Sequence, residues 1–71
     1  MEVEEKVQNF VYERRTKKGV TQEDVGRGVG VSRQTIIAIE KGNYTPSVLL
    51  ALKLARFFEC SIEELFNINN T

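Results

Sequence analysis

The 71-residue sequence contains no histidine and only one cysteine and one proline. Without histidine, and with no glycine-rich phosphate loop or nucleophile–base pair that can be placed together, nothing supports an enzyme or a cofactor site. The lone Cys60 excludes an internal disulfide and a cysteine-built metal centre. No apolar run approaches the ~18 residues that a membrane-spanning helix needs. Met1-Glu2-Val3-Glu4-Glu5 is acidic where a secretory leader is basic and then apolar, so a cytoplasmic protein is expected. Alternating strand patterns, internal repeats and low-complexity stretches are also missing.

What is present is an ordinary globular composition, 41% hydrophobic and 28% charged, on a chain of one-domain length. Formal net charge is zero, but its distribution is uneven. Residues 1–13 carry Glu2, Glu4, Glu5 and Glu13 against Lys6, and residues 57–71 add Glu59, Glu63 and Glu64. The segment between them holds Arg14, Arg15, Lys17, Lys18, Arg27, Arg33, Lys41, Lys53 and Arg56 against three acids. A basic centre of this kind can steer a polyanion to one face.

Helical periodicity runs through nearly the whole chain, broken only by short turns. Val3, Val7, Phe10, Val11 and Arg14 fall at helical spacing and predict a first helix ending near Lys18, closed by Gly19. Thr21 can cap a second helix from Gln22 to about Val29, and Ser32 a third from Arg33 to Lys41 that Gly42 ends. Thr45 and Pro46 mark the start of a fourth helix reaching Phe58. Ser61 with Glu64 forms a capping box for a fifth, Ile62 to about Asn67, after which Asn69, Asn70 and Thr71 are expected to fray. The predicted fold is an all-α, compact five-helix bundle forming a single domain over residues 1–71.

The segment from about Thr21 to Gly42 has the layout of a helix-turn-helix. Two closely crossing helices need a small residue where they meet, and Gly26 fits. The sharp turn needs a residue at ease in the left-handed region, and Gly30 fits. Val25, Val29, Val31, Ile36 and Ile39 can pin the pair together. The leading turn of the second helix must present polar side chains to base edges, and Arg33, Gln34 and Thr35 stand there. Gly28 puts a second glycine into a helix that already holds Gly26, at ~1 kcal/mol relative to alanine, so a short or frayed helix is expected.

The sequence resembles the Cro and phage-repressor type of helix-turn-helix regulators from about Val7 to Phe66. The resemblance is carried by Gly19-Val20-Thr21-Gln22-Glu23, Gly30-Val31-Ser32-Arg33-Gln34-Thr35-Ile36, Ile39-Glu40-Lys41-Gly42, Pro46-Ser47 and Ser61-Ile62-Glu63-Glu64-Leu65-Phe66. It implies a cytoplasmic protein, nucleoid-associated when bound, that represses or activates genes, repression being the favoured sense, from operator sites in double-stranded DNA as a two-fold homodimer. It needs no small-molecule substrate, cofactor or membrane. By the same resemblance Arg33, Gln34, Ile37 and Ala38 face the bases, while Gln22, Ser32, Thr35 and Lys41 meet the backbone, Lys41 standing at the groove-facing end of the helix. Ile37 would meet either a thymine methyl or a neighbour within the fold. Arg15 and Glu40 match a salt bridge that locks the first helix to the third.

The sequence is compatible with two readings of its assembly and two of its partner. The fourth helix is apolar nearly all round, from Val48 to Phe58, which fits either a buried central helix or a dimer interface. The second reading, favoured here, assigns Leu49, Ile62, Leu65, Phe66 and Ile68 to the interface. The zero net charge and acidic ends also fit a protein-interaction module on the same fold, such as an antitoxin or partner-binding domain.

Overall fold

The structure, a computed structural model, describes residues 5–70. Five helices form as expected: α1 (Val11–Lys18), α2 (Gln22–Val29), α3 (Arg33–Glu40), α4 (Val48–Phe57) and α5 (Ile62–Leu65). Two strands were not expected. β1 (Glu5–Asn9) and β2 (Phe66–Asn70) pair antiparallel, with Val7 opposite Ile68 and Asn9 opposite Phe66.

The first helix therefore starts eight residues later than the spacing from Val3 predicts; Val3 itself lies outside the described residues. Asn9 makes the break. Its Oδ1 accepts from the Val11 amide at 3.1 Å, and its Nδ2 donates to the Ile39 carbonyl at 2.8 Å. Phe10 N–H bonds the Leu65 carbonyl at 2.9 Å, so the residues before it run out beside the chain end and not into α1. The carboxyl end changes in the same way. Phe66 is extended (φ −134°, ψ 137°), α5 is a single turn, and Asn69 and Asn70 belong to the ribbon where fraying was expected. Thr71 lies outside the described residues.

Side-chain caps set four of the helix starts. Thr21, Ser32, Ser47 and Ser61 each accept a hydrogen bond from the amide three residues on. For α4 the cap is Ser47, so Thr45 and Pro46 stand ahead of the helix instead of opening it. Thr21–Asp24 and Ser61–Glu64 are reciprocal capping boxes. Hydrogen bonds from the Thr21 and Ser61 backbone and side chains hold the Asp24 and Glu64 carboxyls below the usual carboxylate range.

The core gathers Val11, Val25, Val29, Ile36, Ile39, Leu50, Leu54, Ala55, Phe58 and Leu65. Leu54 and Leu65 have no solvent exposure. That removes Leu65 from any surface: a side chain already sealed inside one protomer cannot form an interface with another. Helix α4 turns out two-sided. Leu50, Leu54 and Ala55 face the core, while Val48, Leu49 and Leu52 stand 75%, 63% and 52% exposed.

Two glycines record close approaches. A Cβ at Gly26 would lie 2.7 Å from the Val31 carbonyl oxygen, which is backbone and cannot swing away. A Cβ at Gly28 would enter the Phe57 ring. The expected fraying of α2 is absent, since the helix runs unbroken to Val29 with its second glycine packed against α4. Gly26→Ala should therefore destabilise the fold by about 1–3 kcal/mol through overpacking, although alanine is the better helix former. Urea unfolding checks the sign, and a gain in stability would place α2 farther from the turn than the structure has it.

Candidate nucleic-acid interface

The α2–turn–α3 unit is built by local chemistry. Gly30 ends α2 at φ +81°, a left-handed conformation that costs glycine nothing, and its amide returns to the Gly26 carbonyl at 2.8 Å. Two residues later Ser32 starts α3. Its Oγ accepts from the Thr35 amide at 3.3 Å and shares a hydrogen bond with Thr35 Oγ1 at 3.2 Å. Ile36 and Ile39 are buried against Val25 and Val29, which fixes the rotation of α3. With that rotation Arg33 and Gln34 are exposed in the first turn, Ile37 and Ala38 are half-buried, and Lys41 is exposed at the carboxyl-terminal cap. Neither Arg33 nor Gln34 makes a hydrogen bond or ion pair among the described residues.

Gln34, Thr35 and Ala38 share a surface groove of about 480 Å³ with Asn43 and Tyr44. These last two residues were missed in the sequence. Asn43 N–H reaches the Ala38 carbonyl at 2.9 Å, folding the loop back on α3, and Tyr44 is 47% exposed. An aromatic exposed directly after the helix-ending Gly42 and Asn43 was the available signal.

The unit is tied to the rest of the molecule by Glu40. Arg15 Nε donates to Glu40 Oε2 at 2.6 Å and Arg15 Nη2 to Oε1 at 3.3 Å. Arg15 Nη1 donates to the Val20 carbonyl at 3.1 Å, and Gln22 Nε2 donates to Glu40 Oε1 at 3.1 Å. Side-chain exposures of 15% for Arg15 and 6% for Glu40 make this a partly buried network joining α1, the start of α2 and the end of α3. The hydrogen bond to Glu40 raises the arginine pKa above its ordinary value. One amide hydrogen of Gln22 is thus committed within the fold, which leaves the other for a ligand.

The basic residues do not share one face. Arg14 pairs with Glu64 at 3.6 Å, Arg15 with Glu40, and Arg27 approaches Glu23 and Asp24 at 4.0 and 3.9 Å. Only Arg33 and Lys41 lie on or at the end of α3. The residues assigned to an interface also separate. Ile62 and Phe66 are half-buried and line a small apolar cleft of about 210 Å³ with Val7 and Val48, whereas Leu49 and Ile68 are 63% and 65% exposed.

Two short helices joined by a glycine turn, the second presenting free polar groups, define a helix-turn-helix domain. Comparison with known proteins gives the family. Residues 11–65 match the helix-turn-helix family, and the chain belongs to it, in its Cro-like branch of DNA-binding transcriptional regulators, a non-enzymatic class. It is 58% identical over 52 residues to an HTH-type transcriptional regulator of Methanocaldococcus jannaschii, covering 73% of this chain and 79% of the relative. Among solved structures it is similar to the restriction-modification controller protein C.AhdI of Aeromonas hydrophila (34% identity, TM-score 0.74, 79% of this chain and 85% of that one). It is also similar to the P22 c2 repressor in complex with a synthetic operator (30% identity, TM-score 0.73, 75% and 80% covered). Among the described residues, no helix is long and apolar enough to cross a membrane.

Removing one partner of the network leaves a nearly sealed charge unpaired. Arg15→Ala should lower the unfolding free energy by about 3 kcal/mol, with Glu40→Ala losing a similar amount. Thermal melts equal to that of the parent chain would show the pair to be solvated.

Proposed function

We propose that this protein is a sequence-specific repressor that reads the major groove with α3 as a homodimer. The observation that carries the reading is the state of Arg33 and Gln34. They are exposed on the leading turn of α3 and free of partners among the described residues, while Ser32, Thr35, Gln22 and Glu40 around them are engaged. Two unpaired multivalent donors on a helix held at both ends match what base edges require. Arginine can meet guanine O6 and N7, and glutamine can meet adenine N6 and N7. Ala38 and Ile37 continue that surface and leave room for a thymine methyl.

Gln22, Ser32, Thr35 and Lys41 contribute phosphate contacts in this reading, with Tyr44 on the flank of the same groove. The similarity to a repressor bound to a synthetic operator supports it. The exposed Val48, Leu49, Leu52 and Ile68 support a two-fold pairing, since an uncharged patch of this kind is costly to leave in water. Under this reading the protein works in the cytoplasm, at the nucleoid.

Selection from a random duplex pool should return half-sites that contain a guanine and an adenine, with centres about 34–36 Å apart. On the selected site Arg33→Ala should cost ~1–3 kcal/mol and relax one base pair, with little change on random DNA. Lys41→Ala should weaken all sequences alike and reduce the salt slope by about one. Equal losses for Arg33→Ala on specific and random DNA would make its role electrostatic and overturn the base-reading assignment.

The pairing has its own test. Sedimentation equilibrium should give twice the 8.1 kDa chain mass. Leu49→Ser combined with Ile68→Ser, both at exposed positions, should return the monomer without loss of helical content. A monomeric parent chain at high concentration would remove the dimer.

A further inference from the structure

Away from α3, the remaining basic residues surround a second feature. A shallow cleft of about 450 Å³ lies between the carboxyl-terminal end of α2 and α4, with Arg27, Lys53 and Arg56 on its rim and Gly28 and Phe57 on its floor. Lys18 of α1 reaches it from the third side, its Nζ 5.6 Å from the centre of the Phe57 ring. Phe57 is set firmly. Its ring lies where a Gly28 side chain would be and meets Phe58 edge-on at 5.0 Å. Of the two acids beside the cleft, Glu23 is exposed and Asp24 partly so; both approach Arg27, and Asp24 also accepts from the Thr21 amide at 3.0 Å. None of the cleft residues lines the groove beside α3.

We infer that this cleft is a docking surface for an acidic polypeptide segment carrying an apolar side chain. Charge complementarity selects an anion: four basic side chains from three helices converge, and Lys18, Lys53 and Arg56 have no acid paired with them among the described residues. Shape then selects among anions. A small ligand gains affinity by being mostly enclosed, and here the rim residues are all exposed. A duplex meets an outer surface of this shape mainly through its phosphates and sugars, and it has no protruding apolar side chain to lay against Gly28 and Phe57. An extended acidic peptide can lay one aliphatic or aromatic side chain on that floor and spread its carboxylates over the rim. The contact leaves α3 uncovered, so such a partner could be held by the DNA-bound protein; the inference itself does not depend on how α3 reads DNA.

The probe is a blocked synthetic peptide of glutamates around a central leucine, titrated into the isotope-labelled chain and followed by NMR. The amides of Gly28 and Val29 and the ring of Phe57 should shift, and added salt should reverse the shifts. Replacing the central leucine by serine should weaken binding. Lys53→Glu with Arg56→Glu, two exposed positions, should lower affinity on the order of tenfold while the melting temperature stays unchanged. Absence of shifts at these nuclei, or equal binding by the charge-reversed variant, overturns the inference. So does a random duplex that perturbs the same nuclei when the peptide does not, because the cleft would then be a nucleic-acid contact.

Discussion

Glu40 sits in the least favourable place a carboxylate can take on a helix. It occupies the last turn of α3, where the unsatisfied carbonyls already present negative charge, and its side chain is almost sealed from water. A negative group there is tolerable only if cations and donors are brought to it. Arg15 supplies two N–H groups and Gln22 a third, from α1 and from the first turn of α2. The requirement therefore draws three helices to one point. Because Gln22 opens α2 and Glu40 closes α3, the same carboxylate fixes the far ends of the two helices whose near ends meet at Gly30. The crossing is thereby held at both extremities, and the exposed turn that starts at Arg33 inherits its orientation from a salt bridge one helix length away. A buried pair of this kind adds little net stability compared with apolar packing, but it permits only one arrangement of its donors.

Much of this arrangement was legible in the chain itself. Caps are local, and Thr21, Ser32 and Ser61 with Glu64 announce their helices because the interaction spans three residues. Gly26 and Gly30 could be placed because a close crossing and a left-handed turn each leave few choices of residue. The ribbon was illegible for the opposite reason. Glu5–Asn9 pairs with Phe66–Asn70, some sixty positions away, and neither segment alternates cleanly. Val7, Phe10 and Val11 mimic a helical face, and the local bond of Asn9 to the Val11 amide decides against it together with the long-range bonds of Asn9 to Ile39 and of Phe10 to Leu65. Leu65 and Leu49 show the matching limit for surfaces. Both are leucines beside other apolar helical residues, yet one is sealed and the other is mostly bare, and the difference depends on how α4 and α5 rotate about the core.

Charge was the least transferable signal. A basic central segment in the sequence became several separate environments once folded: arginines consumed by Glu40 and Glu64, a weak pairing at Arg27, free donors on α3, and a ring of cations about Phe57. Zero net charge is thus compatible with strongly cationic local surfaces, because most of the acids occupy first turns and chain ends, and the nearly sealed Glu40 is matched by Arg15. Gly28 shows how such a surface is built at a cost. A glycine inside a helix sacrifices about 1 kcal/mol of helix propensity, and the return is an aromatic ring packed in the space a side chain would fill.

The ribbon also has a bearing on the order in which the chain assembles. Its strands close a loop nearly as long as the described chain, and few contacts besides α5 brace it against the bundle. Closure entropy rises only as the logarithm of loop length, so the long span itself is not prohibitive. Its register is tied to the seating of Leu65, whose carbonyl receives Phe10 N–H. The helices can condense through contacts close in sequence and reach their native rotation before the ends meet. The ribbon is therefore expected to form last and to open first, with exchange of its amides running ahead of global unfolding.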